Sequence, residues 1–209
     1  MTAAVRDRLL AGVAIPAHPL ALTEDGEVDE RAQRALTRYY LAAGADGLAV
    51  GVHTTQFALH DDEKQFAAVL DLAARTAEGC DPLLVAGVIG DIAQAVREAE
   101  LAAEAGYDAV LLCPFGMADP TPEALLERAR AAGEVLPTIG FALQKAVGGP
   151  DLPKSYWSRL FDVGSVVGVK AAPFDRYRTN DIARALLDHD RWDEIALLTG
   201  NDDAIVADL

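Results

Sequence analysis

Short apolar runs recur along this sequence at near-regular intervals, and each is followed by a longer stretch rich in Ala, Leu, Glu and Arg at helical spacing. The runs are 11–15, 47–50, 83–88, 109–113, 138–143, 166–170 and 195–199; the helix-like stretches are 28–43, 61–78, 91–105, 121–132, 153–161 and 178–188. Runs of four to six residues that are apolar throughout, without a polar alternate, fit strands buried on both faces. Their alternation with helices predicts βα units around a parallel sheet. Asp91 can cap the helix that follows it, and Pro122 after Thr121 suits a first helical turn. The segment LAAGADGLAV (41–50) returns as LAAEAGYDAVLL (101–112), a helix end, a glycine, an acidic residue and then a strand. That echo is what a repeated βα unit requires.

A parallel α/β chain can close as a (β/α)8 barrel or remain an open doubly wound sheet. No GxGxxG or GxxxxGK[ST] element follows any run, so the phosphate loops of the common open folds are missing. Polar residues gather instead at the C-terminal ends of the runs: His18, His53, Thr54, Thr55, Pro114, Gln144, Lys170, Asn201 and Asp202. Barrel enzymes place their chemistry there. The turn-rich VGGPDLP (147–153) is too short for a linker, so residues 1–209 read as a single barrel domain.

Lys170 closes the run Val166, Val167, Gly168, Val169 and precedes Ala171, Ala172 and Pro173. An amine at the end of a buried strand loses hydration, its pKa falls, and the neutral form can attack a carbonyl to give a Schiff base. A lysine that merely reaches water would occupy the same place in the sequence. The formal charge of −15, from 33 acidic and 18 basic residues, argues against nucleic acid or an anionic membrane as partner. Cys80 and Cys113 lack metal spacing, form no disulfide framework and are expected in the core of a cytoplasmic protein. Residues 9–22 faintly resemble a signal peptide, but Pro16, His18 and Pro19 interrupt the apolar segment.

Taken together, the strand ends resemble the dihydrodipicolinate synthase and N-acetylneuraminate lyase family of class I aldolases. AIPAHPLALTEDGEVD (14–29), GADGLAVG (44–51) with LHDDE (59–63), PLLVAGVIG (82–90), GYDAVLLCPF (106–115), VVGVKAAP (166–173) and LLTGNDD (197–203) occur in the family's order. The resemblance implies a (β/α)8 barrel, Lys170 as Schiff-base lysine, a small 2-oxo acid or sugar-acid substrate, no metal or organic cofactor, and a homo-oligomer, commonly a tetramer. Three departures stand out. The family's Gly-Thr-Thr-Gly-Glu becomes Gly51, Val52, His53, Thr54, Thr55; its catalytic tyrosine becomes Phe141; and Pro-Tyr-Tyr becomes Pro114, Phe115, Gly116. Phenylalanine carries no proton. His53 is then the candidate acid/base, with Thr54, Thr55, Phe141, Gln144, Asn201 and His18 as candidate substrate contacts and His60 and His189 as surface residues. The eighth strand and C-terminal helices of such a barrel are absent from the sequence, as expected of a fragment. The alternatives are a Schiff-base dehydratase or decarboxylase on the same scaffold, and a silent metabolite-binding or assembly relative.

Overall fold

The computed structural model describes residues 2–52 and 56–208. Among them, six parallel strands form one sheet in sequential order: β1 (Gly47–Val50), β2 (Leu83–Val88), β3 (Ala109–Leu112), β4 (Thr138–Leu143), β5 (Val166–Ala172) and β6 (Ala196–Thr199). The helices between them are α2 (Glu30–Ala42) before β1, α3 (Glu63–Thr76), α4 (Ile92–Glu104), α5 (Pro122–Gly133), α6 (Lys154–Phe161) and α7 (Arg176–Leu187), with a short α8 (Ile205–Asp208) at the end. All the sequence-expected helices are present to within about two residues at either end, the usual uncertainty of a helix boundary. Capping fixes several of them: Asp91 accepts from Gln94 N, and Thr121 accepts from Ala124 N ahead of Pro122.

Alternate residues of each strand feed two cores. Leu48, Val50, Leu84, Ala86, Val88, Val110 and Leu112 pack outward against helical residues such as Phe66, Leu70, Leu126, Leu160 and Ile182. Ala49, Val85, Ala109, Leu111, Cys113, Ile139 and Phe141 pack inward on the concave face. Burial on both faces is why the runs are apolar throughout.

The echo in the sequence has a structural counterpart. Asp46 accepts from Ala14 N through its carboxylate (2.8 Å) and donates its own N–H to Ala14 O (3.0 Å). Asp108 does the same to Leu84, at 2.8 and 2.9 Å. Each aspartate therefore ties the start of its strand to the preceding chain segment.

Two expectations need correction. Residues 11–15 do not form a strand; the chain there lies beside β1 and pairs irregularly, through Asp46 N to Ala14 O, Ala49 N to Pro16 O and His18 N to Ala49 O. Pro16 and Pro19 have no N–H for a regular ladder, so the described residues hold six strands, not seven. The N-terminus also carries an unexpected helix, α1 (Thr2–Leu10), whose Val5 and Leu9 enter the concave core beside Val167 and Ala196. Its charged residues Arg6, Asp7 and Arg8 hide that buried pair in the sequence.

Candidate active site

The strand order puts Cys113, Phe141 and Lys170 side by side, because β3 pairs with β4 and Phe141 is the register partner of Lys170. Cys113 directly follows β3, Phe141 and Lys170 lie in the C-terminal halves of β4 and β5, and all three point inward. The Lys170 Nζ sits 4.5 Å from the centroid of the Phe141 ring, a cation–π distance. Among the described residues it makes no hydrogen bond and no ion pair. Gly200 makes room for it: a Cβ there would stand 2.6 Å from Lys170 Cε and 2.9 Å from Ala172 Cβ. The lysine borders a hollow of about 800 Å3 between the two unpaired edges of the sheet, β6 and the segment beside β1, whose other walls include Leu9, Ile15, Val85, Leu111, Ile139 and Leu198.

Burial holds the Lys170 amine below the ordinary lysine pKa, an effect partly offset by Cys113 and Asp202. Burial likewise pushes the Cys113 thiol up to about 12, against the pull of the Lys170 charge. A weakly hydrated amine with no hydrogen-bond partner among the described residues can add to a carbonyl.

The remaining expected residues fall in different places. His53, Thr54 and Thr55 lie outside the described residues. Gln144 lines a second hollow of about 340 Å3 beyond the strand ends, with Lys145, Asp151, Trp157 and Arg178, away from Lys170. Asn201 is buried and fully engaged, accepting from Phe174 N (2.9 Å) and donating to Thr179 Oγ1 (3.1 Å) and to Asp208 (2.8 Å). It fastens the turn after β5, where Phe174 adopts a φ of +50°, to α7 and α8.

His18 is buried away from the hollow. Gln33 Nε2 donates to its Nδ1 (2.8 Å), and its Nε2 meets Thr37 Oγ1 at 2.8 Å; that hydroxyl in turn donates to Gln33 O (3.0 Å). Gln33 Oε1 accepts from Ala21 N (2.7 Å), so a neutral imidazole with its proton on Nε2 satisfies the group. Burial lowers its pKa and outweighs the Pro19 carbonyl, 3.0 Å from Nδ1, which would accept from that nitrogen only in the protonated ring and so favours the charged form. Asn201 and His18 thus hold the structure together; neither side chain is free for a ligand.

Cys80 is exposed, against expectation, whereas Cys113 is buried as expected. His60 is buried as well, with its Nε2 2.9 Å from Gly51 O and its Nδ1 3.1 Å from Glu98. The charged run Asp61, Asp62, Glu63 beside it made it read as a surface residue; the aromatic neighbours Phe57 and Phe66 were the available signal.

The model of the dihydrodipicolinate synthetase family matches residues 11–209. The chain belongs to that family. It is 32% identical over 190 residues to a probable 5-dehydro-4-deoxyglucarate dehydratase 2 of Streptomyces coelicolor, covering 88% of this chain and 56% of the relative. Against a 4-hydroxy-tetrahydrodipicolinate synthase of Maridesulfovibrio salexigens it is 30% identical over 161 residues, 76% of this chain and 55% of the relative. Among solved structures, the chloride-inhibited dihydrodipicolinate synthase of Acinetobacter baumannii complexed with pyruvate superposes with a TM-score of 0.79 at 25% identity, covering 92% of this chain and 65% of that one. YagE of E. coli K12, a prophage protein of the same family in complex with pyruvate, gives 0.81 at 18% identity, covering 94% and 66%. The present chain spans a little over half the length of the curated relatives it matches.

Proposed function

We propose that the protein is a Schiff-base-forming lyase acting on a small 2-oxo acid or sugar acid through Lys170. The observation that carries this reading is the amine on β5, poorly hydrated, lying over Phe141 and without a hydrogen-bond partner among the described residues. In the reaction the neutral amine adds to the keto carbon, water leaves, and the iminium draws electrons from the adjacent bond. The group that moves the protons is not Phe141, which has none to give. His53, by its place after β1, is the proposed acid/base, and Thr54 and Thr55 the proposed holders of the substrate carboxylate, through hydroxyls and amides.

The dehydratase of S. coelicolor favours a second form of the same chemistry. There the iminium acidifies the neighbouring C–H; its proton goes to a base, and a hydroxyl one carbon further leaves as water with a proton. No C–C bond breaks. Product mass separates the two forms: a hydroxylated 2-oxo sugar acid that loses one water supports dehydration. Splitting into, or assembly from, pyruvate and an aldehyde supports aldol chemistry. Lys170→Ala should abolish either, and a variant that keeps turnover rejects both.

A further inference from the structure

The path of the Lys170 side chain is set by a short turn that takes no part in the chemistry just described. The turn runs on from β6 as Thr199, Gly200 and Asn201. Gly200 N donates to Ala171 O at 2.7 Å, which carries the β5–β6 pairing one residue beyond the strand. A Cβ on Gly200 would meet Lys170 at Cε (2.6 Å) and at Cγ (3.3 Å), so the lysine's methylenes run across bare glycine backbone. Where Gly200 stands therefore decides how the amine reaches its place 4.5 Å from the Phe141 ring.

Asn201, the buried residue next to that glycine, is tied in four directions. Its Oδ1 accepts from Phe174 N in the turn after β5 (2.9 Å), and its Nδ2 donates to Thr179 Oγ1 on α7 (3.1 Å) and to Asp208 Oδ2 on α8 (2.8 Å). Its own N–H donates to Thr199 Oγ1 (3.2 Å), and the Thr199 hydroxyl donates to the same Asp208 oxygen (2.8 Å). Thr199, Asn201 and Asp208 thus close a ring of hydrogen bonds around the turn. The Asp208 side chain is 6% exposed, with its second oxygen 3.6 Å from Arg176. Phe174, at a φ of +50°, holds a left-handed conformation that a bulky residue seldom adopts, and Asn201 receives its N–H. The ring therefore binds together the pieces that flank Lys170: the end of β5, the end of β6 and the start of α7.

We infer that Asn201, backed by Asp208, is a positioning residue: by fixing Gly200 it fixes the course of the Lys170 side chain and the point from which Nζ meets a carbonyl. This rests on Lys170 being the Schiff-base lysine. A residue that served only the fold would loosen the chain broadly, whereas a positioning residue changes the reactivity of one amine.

The test reads each amine without a substrate, by arylation with trinitrobenzenesulfonate at graded pH and peptide mapping of Lys64, Lys145, Lys154 and Lys170. In wild type, Lys170 should react with a midpoint below the ordinary 10.5. In Asn201→Ala the released turn admits water to the amine, and that midpoint should rise by about half a unit or more while the other three lysines keep theirs. Asp208→Ala should shift it the same way by less, and is the variant to read if Asn201→Ala does not fold. Asp208→Asn, whose amide oxygen still accepts from Thr199 and Asn201, should lie close to wild type. With the oxo acid that wild type takes up, borohydride-trapped adduct on Lys170 should form about tenfold more slowly in Asn201→Ala. A Lys170 midpoint or adduct rate that stays at the wild-type value overturns the inference. So does an equal shift at all four lysines, or an Asp208→Asn protein as altered as Asp208→Ala. If wild type traps no oxo acid, the Schiff-base reading fails, while the arylation profile still decides whether Asn201 governs the amine.

Discussion

His18 and Lys170 are both polar side chains inside a predominantly apolar molecule, and they are treated in opposite ways. Every ring atom of His18 that can bond does so, with Gln33 and Thr37 completing a closed group between the residue 14–22 segment and α2. Lys170 has a phenyl ring on one side, a thiol nearby, and no hydrogen-bond partner among the described residues. Burying an unsatisfied charged group costs free energy, and a fold tolerates that where the group has other work. The satisfied histidine reads as architecture, and the lysine, without a hydrogen-bond partner among the described residues, as chemistry.

The sharpest way to break this contrast is to remove each group in turn. Lys170→Ala should lower turnover of the oxo-acid substrate at least about a thousandfold. Its unfolding free energy in urea should stay level or rise, because the variant no longer buries an amine whose charge the interior disfavours. His18→Leu should behave in reverse, losing about 2–4 kcal/mol of stability as Gln33 and Thr37 are stranded. The same urea titration measures this, and kcat on the surviving folded fraction should stay within a few-fold of wild type.

The legibility of the two groups in the sequence also differs, for physical reasons. Lys170 stood out because it ends a β-branched apolar run, where strand burial and chain direction leave few alternatives. The strands from 47 onward and their helices were readable for the same reason, since apolar periodicity reports burial directly. His18 gave no such sign: its partners Gln33 and Thr37 lie on a helix that passes it only in three dimensions. Helix α1 was missed because only Val5 and Leu9 of its residues are buried, a pattern too sparse to show periodicity. Residues 11–15 looked like a strand by composition, but Pro16 prevents the ladder. The repeated aspartates Asp46 and Asp108 were visible as an echo, though their shared bond to the preceding segment was not.

A pH titration sharpens the comparison further. Burial holds the His18 pKa in the folded protein below its ordinary 6.5, so the folded state binds fewer protons than the unfolded one. Its contribution is full above that ordinary value and is lost as pH falls through 6.5 toward the folded pKa, with a limiting slope of about 1.4 kcal/mol per pH unit. The difference between the wild-type and His18→Leu stability curves should therefore shrink on acidification below 6.5 and stay flat above it. A difference that grows on acidification would show the histidine to be held charged.

The smallest expected effect concerns the space around the amine. Gly200→Ala would place a methyl 2.6 Å from Lys170 Cε and force the side chain to move. Turnover should fall about tenfold through misplacement of Nζ, with a stability change below about 2 kcal/mol. Equal turnover in the two proteins would mean that the lysine's present path is not the reactive one.

The most direct test is borohydride reduction of the protein in the presence of pyruvate and of a hydroxylated 2-oxo sugar acid, read by intact mass and peptide mapping. The account predicts a reduced adduct of one ligand per chain on the peptide that carries Lys170, forming faster as pH rises toward a midpoint below the ordinary lysine value of 10.5. Its mass names the substrate class. A folded protein that yields no adduct with either acid, or an adduct on another lysine that survives in Lys170→Ala, would contradict it.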